Sequence, residues 1–94
     1  MNCVNCVEQD LRVVNKLGLH ARAAAALVNL AAGFEADIRL GYRGKEVDAK
    51  SIMGVMMLAA AEGAEVRVVA TGPDAGHAVE RIAGLFDGRF GEDE

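Results

Sequence analysis

Two hydrophobic periodicities alternate along this chain, and that alternation limits the fold more than any single motif. Ala36, Ile38, Leu40 and Tyr42 are separated by Asp37, Arg39 and Gly41, a period of two that predicts a strand with one wet face. Leu11 and Val13 mark an earlier strand near 7–14. The turn Arg43-Gly44-Lys45-Glu46 leads into a short return strand over 46–49, which predicts a hairpin. A fourth strand is predicted over 65–71, with Val66, Val68 and Ala70 on one face. Helical spacing fills the gaps. Residues 21–32 are rich in alanine, with Ala24, Leu27, Val28 and Ala31 on one stripe and Gly33 as the stop. Ser51 is placed to cap a short helix over 52–59. Pro73 suits the first turn of a third helix, whose apolar stripe is Ala75, Ala78, Val79, Ile82, Leu85 and Phe86, with Gly88 beyond it. The order β-α-β-β-α-β-α predicts a two-layer α+β domain, helices on one face of a four-stranded antiparallel sheet. Ferredoxin-like domains share most of this order, so it does not select a family.

Composition decides what fills those layers. The chain has 94 residues, enough for one domain, and is 52% hydrophobic with no tryptophan and only 4% aromatic residues. Its core is therefore aliphatic, built from Ala, Val, Leu, Ile and Met. A formal net charge of −4 argues against nucleic-acid binding by bulk charge. The longest apolar run, Ile52 to Ala61, is shorter than a bilayer span, so no membrane insertion is expected. The start of the chain lacks a basic, then apolar, signal pattern, and a cytoplasmic location is the expectation.

That apolar run is greasier than a thin core needs. Ile52, Val55, Met56 and Ala59 cover one side of the predicted helix, and Met53, Met57 and Ala60 cover another. Either both sides are buried or one is a docking patch, and methionine favours the patch because its flexible thioether adapts to different partners.

Gly18-Leu19-His20-Ala21-Arg22 joins the first strand to the first helix. His20 is thus expected at a helix N-terminus, where unpaired backbone N–H groups and the positive end of the dipole favour an anion. The same field favours the neutral, nucleophilic ring. Arg22 adds a forked cation suited to phosphate oxygens. Together they would suit reversible phosphoryl transfer, in which positioning and charge stabilisation do most of the catalysis. A histidine that only starts a helix, beside a solvated arginine, fits the same residues.

Other candidates are weaker. Met1-Asn2-Cys3-Val4-Asn5-Cys6 matches a metal-binding string, but it precedes the first strand, and two thiolates do not close a zinc site. Nor does the pair look like a disulfide framework. His77 reads as an exposed helical residue beside Glu80 and Arg81. No P-loop, nucleophilic triad or paired-carboxylate set is present, so autonomous catalysis is not expected.

Taken together, Gly18-Leu19-His20-Ala21-Arg22 and Lys50-Ser51-Ile52-Met53-Gly54-Val55-Met56 resemble the HPr family, the histidine-containing phosphocarriers of the bacterial phosphoenolpyruvate-dependent phosphotransferase system. The resemblance spans roughly residues 8–91. It implies an open-faced β-sandwich and a phosphoryl-transfer intermediate rather than an autonomous enzyme. It implies that His20 takes a phosphoryl group on Nδ1 from phospho-enzyme I, with Arg22 supporting it, and passes it to enzyme II A-type proteins. It further implies that Ser51 is a regulatory phosphorylation site for HPr kinase/phosphorylase, and that Ile52, Met53, Met56 and Met57 dock partners. Neither a cofactor nor a metal is implied, and a monomer is expected. A mainly regulatory protein acting through Ser51 is the alternative, and a Cys3/Cys6 metal module a more distant one. The domain is expected at 8–91, between a mobile extension over 1–7 and an acidic tail over 92–94. Ala23 departs from the family, which usually has proline there. The exchange restores an N–H and costs rigidity on the order of 0.4–1 kcal/mol, leaving His20 and Arg22 in place.

Overall fold

Every segment with a period of two becomes a strand. The computed structural model describes residues 5–93. Its strands are β1 (Cys6–Arg12), β2 (Asp37–Tyr42), β3 (Lys45–Asp48) and β4 (Glu65–Thr71), and its helices are α1 (Ala21–Ala31), α2 (Ile52–Met57) and α3 (Ala75–Asp87). A short 3-10 turn, Arg89–Gly91, follows α3. The four strands form one antiparallel sheet in the order β1-β4-β2-β3, with β1 and β4 in register at Leu11 and Val66, and β2 and β4 at Leu40 and Val68. The fold is the two-layer α+β sandwich that the alternation predicts, open-faced as the resemblance implies.

One face of the sheet is dry. Val13, Leu27, Ile38, Leu40, Val66, Val68, Ile82 and Phe86 are fully buried, and Ala23 and Ala24 let α1 approach the core closely. The opposite face is solvated and carries ion pairs from Arg67 to Asp10 and Glu8, and from Arg12 to Glu65. Exposed pairs of this kind contribute little to stability. The β2–β3 hairpin closes through Arg43 and Gly44, both with positive φ (50° and 80°), the conformation of a tight two-residue turn that follows strand twist.

Four boundaries differ from the sequence reading. β1 ends at Arg12 because Val13 pairs instead with the loop before β4, donating to the Ala64 carbonyl and accepting from Gly63 N–H. α2 stops at Met57 because Ala59 turns left-handed (φ 53°), which lets Leu58 and Ala60 bury. Pro73 precedes the α3 N-cap, Asp74, rather than occupying the first turn. The Asp74 carboxylate accepts the N–H groups of Glu35 and Ala36, tying α3 to the entry of β2, and the Glu35 bond is the main cause that holds its carboxyl below the usual range. Finally, β1 reaches back to Cys6. Cys6 and Val7, expected in a mobile extension, pair with Thr71 and Ala70, because β4 offers a full-length edge. Cys6 is disulfide-bonded, contrary to the expectation, and in that state offers no thiolate to a metal. The rest of the expected extension, residues 1–4, lies outside the described residues.

Candidate functional site

The loop from Val13 to His20 is built by its backbone. Leu19 N–H donates to the Ala60 carbonyl at 2.9 Å, so the loop is laced to the segment that follows α2. Gly18 lies against that segment with φ +68°, and a Cβ there would stand 2.6 Å from the Ala60 carbonyl oxygen. Only glycine fits, since the left-handed conformation and the close approach both exclude a side chain. Leu19 is buried and fixes the depth of the loop.

His20 is the N-cap of α1. Its backbone is extended (φ −77°, ψ −179°), its carbonyl accepts the Ala24 N–H at 2.8 Å, and its Nδ1 accepts the Arg22 N–H at 3.3 Å. A nitrogen that accepts carries a lone pair, so Nδ1 is the unprotonated atom. The other nitrogen, Nε2, is held by the Glu92 carboxylate, and the side chains of the two residues are 30% and 9% exposed. The second Glu92 oxygen accepts from Asn15 Nδ2 at 2.9 Å, and the same Asn15 nitrogen donates to the Gly18 carbonyl at 2.9 Å. Asn15 is fully buried. The Glu92 carboxyl is held below its ordinary range by the Asn15 bond, by the bond and charge of His20, and by the charge of Arg22, against the opposing cost of desolvation.

His20 and Arg22 share an open cleft of about 640 Å³ with Lys16, Leu17 and the Gly91–Asp93 segment. Arg22 is exposed at its edge, and Ala23 is buried. The cleft therefore presents an imidazole nitrogen with a lone pair, a helix N-terminus and two cationic side chains. This is the chemistry of a nucleophile whose product is an anion.

The second predicted position lies apart. Ser51 caps α2, its Oγ accepting the Gly54 N–H at 3.1 Å. Val55 alone of α2 is buried, while Ile52, Met53, Met56 and Met57 are exposed, Met53 by 68% and Met57 by 67%. Both sides of the helix are thus not buried. His77 is exposed, with its ring 5.6 Å from that of Phe34.

Three residues of this region were not singled out in the sequence. Leu17 is 68% exposed on the rim of the cleft, and Asn15 and Glu92 complete the histidine's surroundings. Glu92 was expected in a tail, yet it is tucked against His20. An asparagine inside the apolar stretch before Gly18 was the available signal for Asn15. Glu92 gave none, because its partners lie 72 and 77 residues away.

Comparisons with known proteins agree with this geometry. The family model described as the PTS HPr component phosphorylation site matches residues 7–87. The phosphocarrier protein HPr of Cupriavidus necator is 48% identical over 88 residues, covering 94% of this chain and 99% of that protein. The crystal structure of an HPr-C-His from Thermoanaerobacter tengcongensis superposes with a TM-score of 0.90 at 39% identity, covering 94% and 99% of the two chains. The Bacillus subtilis catabolite repression protein Crh, solved as a swapped dimer, matches with a TM-score of 0.71 at 44% identity, covering 86% and 93%.

Proposed function

The chain belongs to the HPr family of phosphotransferase-system phosphocarriers, and from that premise we propose that His20 is its phosphoryl-accepting residue, through Nδ1. One observation carries the reading: Nδ1 bears its lone pair at the N-terminus of α1, facing the Arg22 backbone N–H. When Nδ1 takes a phosphoryl group, that N–H and the Arg22 guanidinium turn to the phosphoryl oxygens, where charge-assisted bonds are strongest. Phospho-enzyme I is the donor and enzyme II A-type proteins are the acceptors. Ile52, Met53, Met56 and Met57 form the apolar surface on which they dock. Incubation with enzyme I and phosphoenolpyruvate tests this. An acid-labile, base-stable phosphate is expected in the native chain and absent from His20→Ala; no such phosphate, or its persistence in the variant, overturns the assignment.

Ser51 supports a second, regulatory reading. Its hydroxyl caps a helix whose neighbouring side chains are exposed and apolar, and a relative of similar identity is described by its role in catabolite repression. Phosphorylation by HPr kinase/phosphorylase with ATP would add about −1.5 to −2 charges there. The charge is tolerated at a helix N-terminus but opposes docking of an apolar or acidic partner surface. Mass spectrometry after kinase treatment is expected to find the phosphate on Ser51, with slower uptake at His20. An unmodified Ser51 removes this reading and leaves the first intact.

A further inference from the structure

We propose that Cys6 and Cys3 are a reversible dithiol–disulfide pair, a redox site apart from His20 that exchanges with a dithiol reductant. Closing the bond fixes the entry to β1, and opening it frees that entry. The inference is independent of the phosphocarrier reading.

Three observations carry it. First, the bond is a poor staple. Cys6 is disulfide-bonded, and Cys3 is the only other cysteine in the sequence. The pair encloses just Val4 and Asn5, and so short a loop removes little freedom from the unfolded chain. β1 is already held along its length, from Cys6 opposite Thr71 to Arg12 opposite Glu65. The matched family domain begins at residue 7, so both cysteines precede it and are this chain's own addition. Second, the sulfur is within reach. Cys6 is the first residue of an edge strand and only half-buried. Exchange requires a thiolate to approach a sulfur, which a deeply buried disulfide prevents. Third, the turn beside Cys6 is seated on the fold. Asn5 is left-handed at φ 56°, a conformation asparagine takes more readily than most residues. Its carbonyl accepts the Gly72 N–H at 2.9 Å, in the connection from β4 to α3. Gly72 itself has φ +146°, and a Cβ there would stand 2.9 Å from Ala36 Cα. The bond thus braces a turn that closes a crowded junction.

Cys6 also lies at the far end of β1 from His20. The other end continues into Val13, which bonds to Gly63 and Ala64 before the chain enters the His20 loop. The strand between them spans about 20 Å. In the exchange, one thiolate of the reductant attacks a sulfur of the pair. A mixed disulfide forms, and the other cysteine leaves as a thiolate and takes a proton. The reductant's second thiolate then attacks its own sulfur in the mixed disulfide, closing the reductant's disulfide and releasing the second cysteine, which also takes a proton. Two electrons and two protons pass from the reductant to the pair. Oxidation by a disulfide reverses each step.

The test equilibrates the full, folded chain in mixtures of reduced and oxidised dithiothreitol, traps thiols with N-ethylmaleimide and weighs the products. Hydrogen exchange at the Gly72 amide is followed by NMR in the same mixtures. The chain is expected to pass reversibly between a monomer with no label and a monomer with two. Each tenfold change in the reagent ratio should shift the disulfide-to-dithiol ratio by about tenfold, as a one-to-one exchange requires. The Gly72 amide should lose protection on reduction. Cys3→Ser should take one label at every ratio and show the Gly72 exchange of the reduced chain. Labelled cysteines under fully oxidising mixtures, a bond that yields only when the chain is unfolded, or a bond that joins two chains overturns the inference. So does Gly72 protection that is equal in both states.

Discussion

His20 and Ser51 are the same local device with different surroundings. Each is the extended residue before a helix, and each side chain accepts a first-turn N–H, from Arg22 at 3.3 Å and from Gly54 at 3.1 Å. The serine stops there. Its bond spans three residues, and what lies beside it is exposed apolar surface. The histidine is gripped a second time, by a carboxylate from the far end of the chain, in a cleft with Arg22 and Lys16. A cap made locally stabilises a helix; a cap also held from a distance has its ring orientation fixed from two sides. The comparison teaches that two caps alike in local geometry differ in what distant segments bring to them.

Gly18→Ala should separate the two ends most strongly. It sets a Cβ 2.6 Å from the Ala60 carbonyl oxygen and forces a left-handed alanine. A loss of roughly 1–3 kcal/mol is expected in denaturant unfolding, with slowed uptake at His20 as the loop shifts. Unchanged stability and unchanged uptake would mean the loop adapts and the lacing to Ala60 is not needed. Ser51→Ala should cost about 1 kcal/mol, the ordinary loss of a side-chain cap. Uptake measured with the unphosphorylated variant should stay near native. A large fall in uptake would show that the serine cap also shapes the His20 cleft, which would break the contrast.

Acid gives the subtlest separation. The Glu92 carboxyl is depressed below its usual range, chiefly by the Asn15 bond. Its contribution is therefore complete above the unfolded carboxylate value, about 4.3, and is lost as pH falls through the lower folded value. The Ser51–Gly54 bond has no titrating partner. On acidification the Asn15 side-chain amide signals should move before the chain unfolds, while the Gly54 amide holds. Signals that move together would mean that the two ends melt as one unit.

Much of this was legible because it is local. Period-two and helical spacings mark the strands and helices, since burial of one face imposes them at each residue. His20 and Ser51 could be placed at helix starts because capping depends on neighbours within three or four positions. The errors fall where another segment intervenes. Val13 left its strand for Gly63 and Ala64, and Cys6 entered one because β4 provides partners. Leu17 gave no sign that it would face solvent.

The sequence by itself determined the order of elements, the aliphatic core, the glycine at position 18, and the two capped helix starts. Tertiary structure decided that β4 inserts between β1 and β2, and that α2 turns its methionines outward. It also decided that one Glu92 oxygen meets His20 and the other meets Asn15. Periodicity says which face of an element is buried but not against what. A carboxylate and an imidazole 72 residues apart become partners only when buried Phe90, packed against Phe86, and the sheet bring them together.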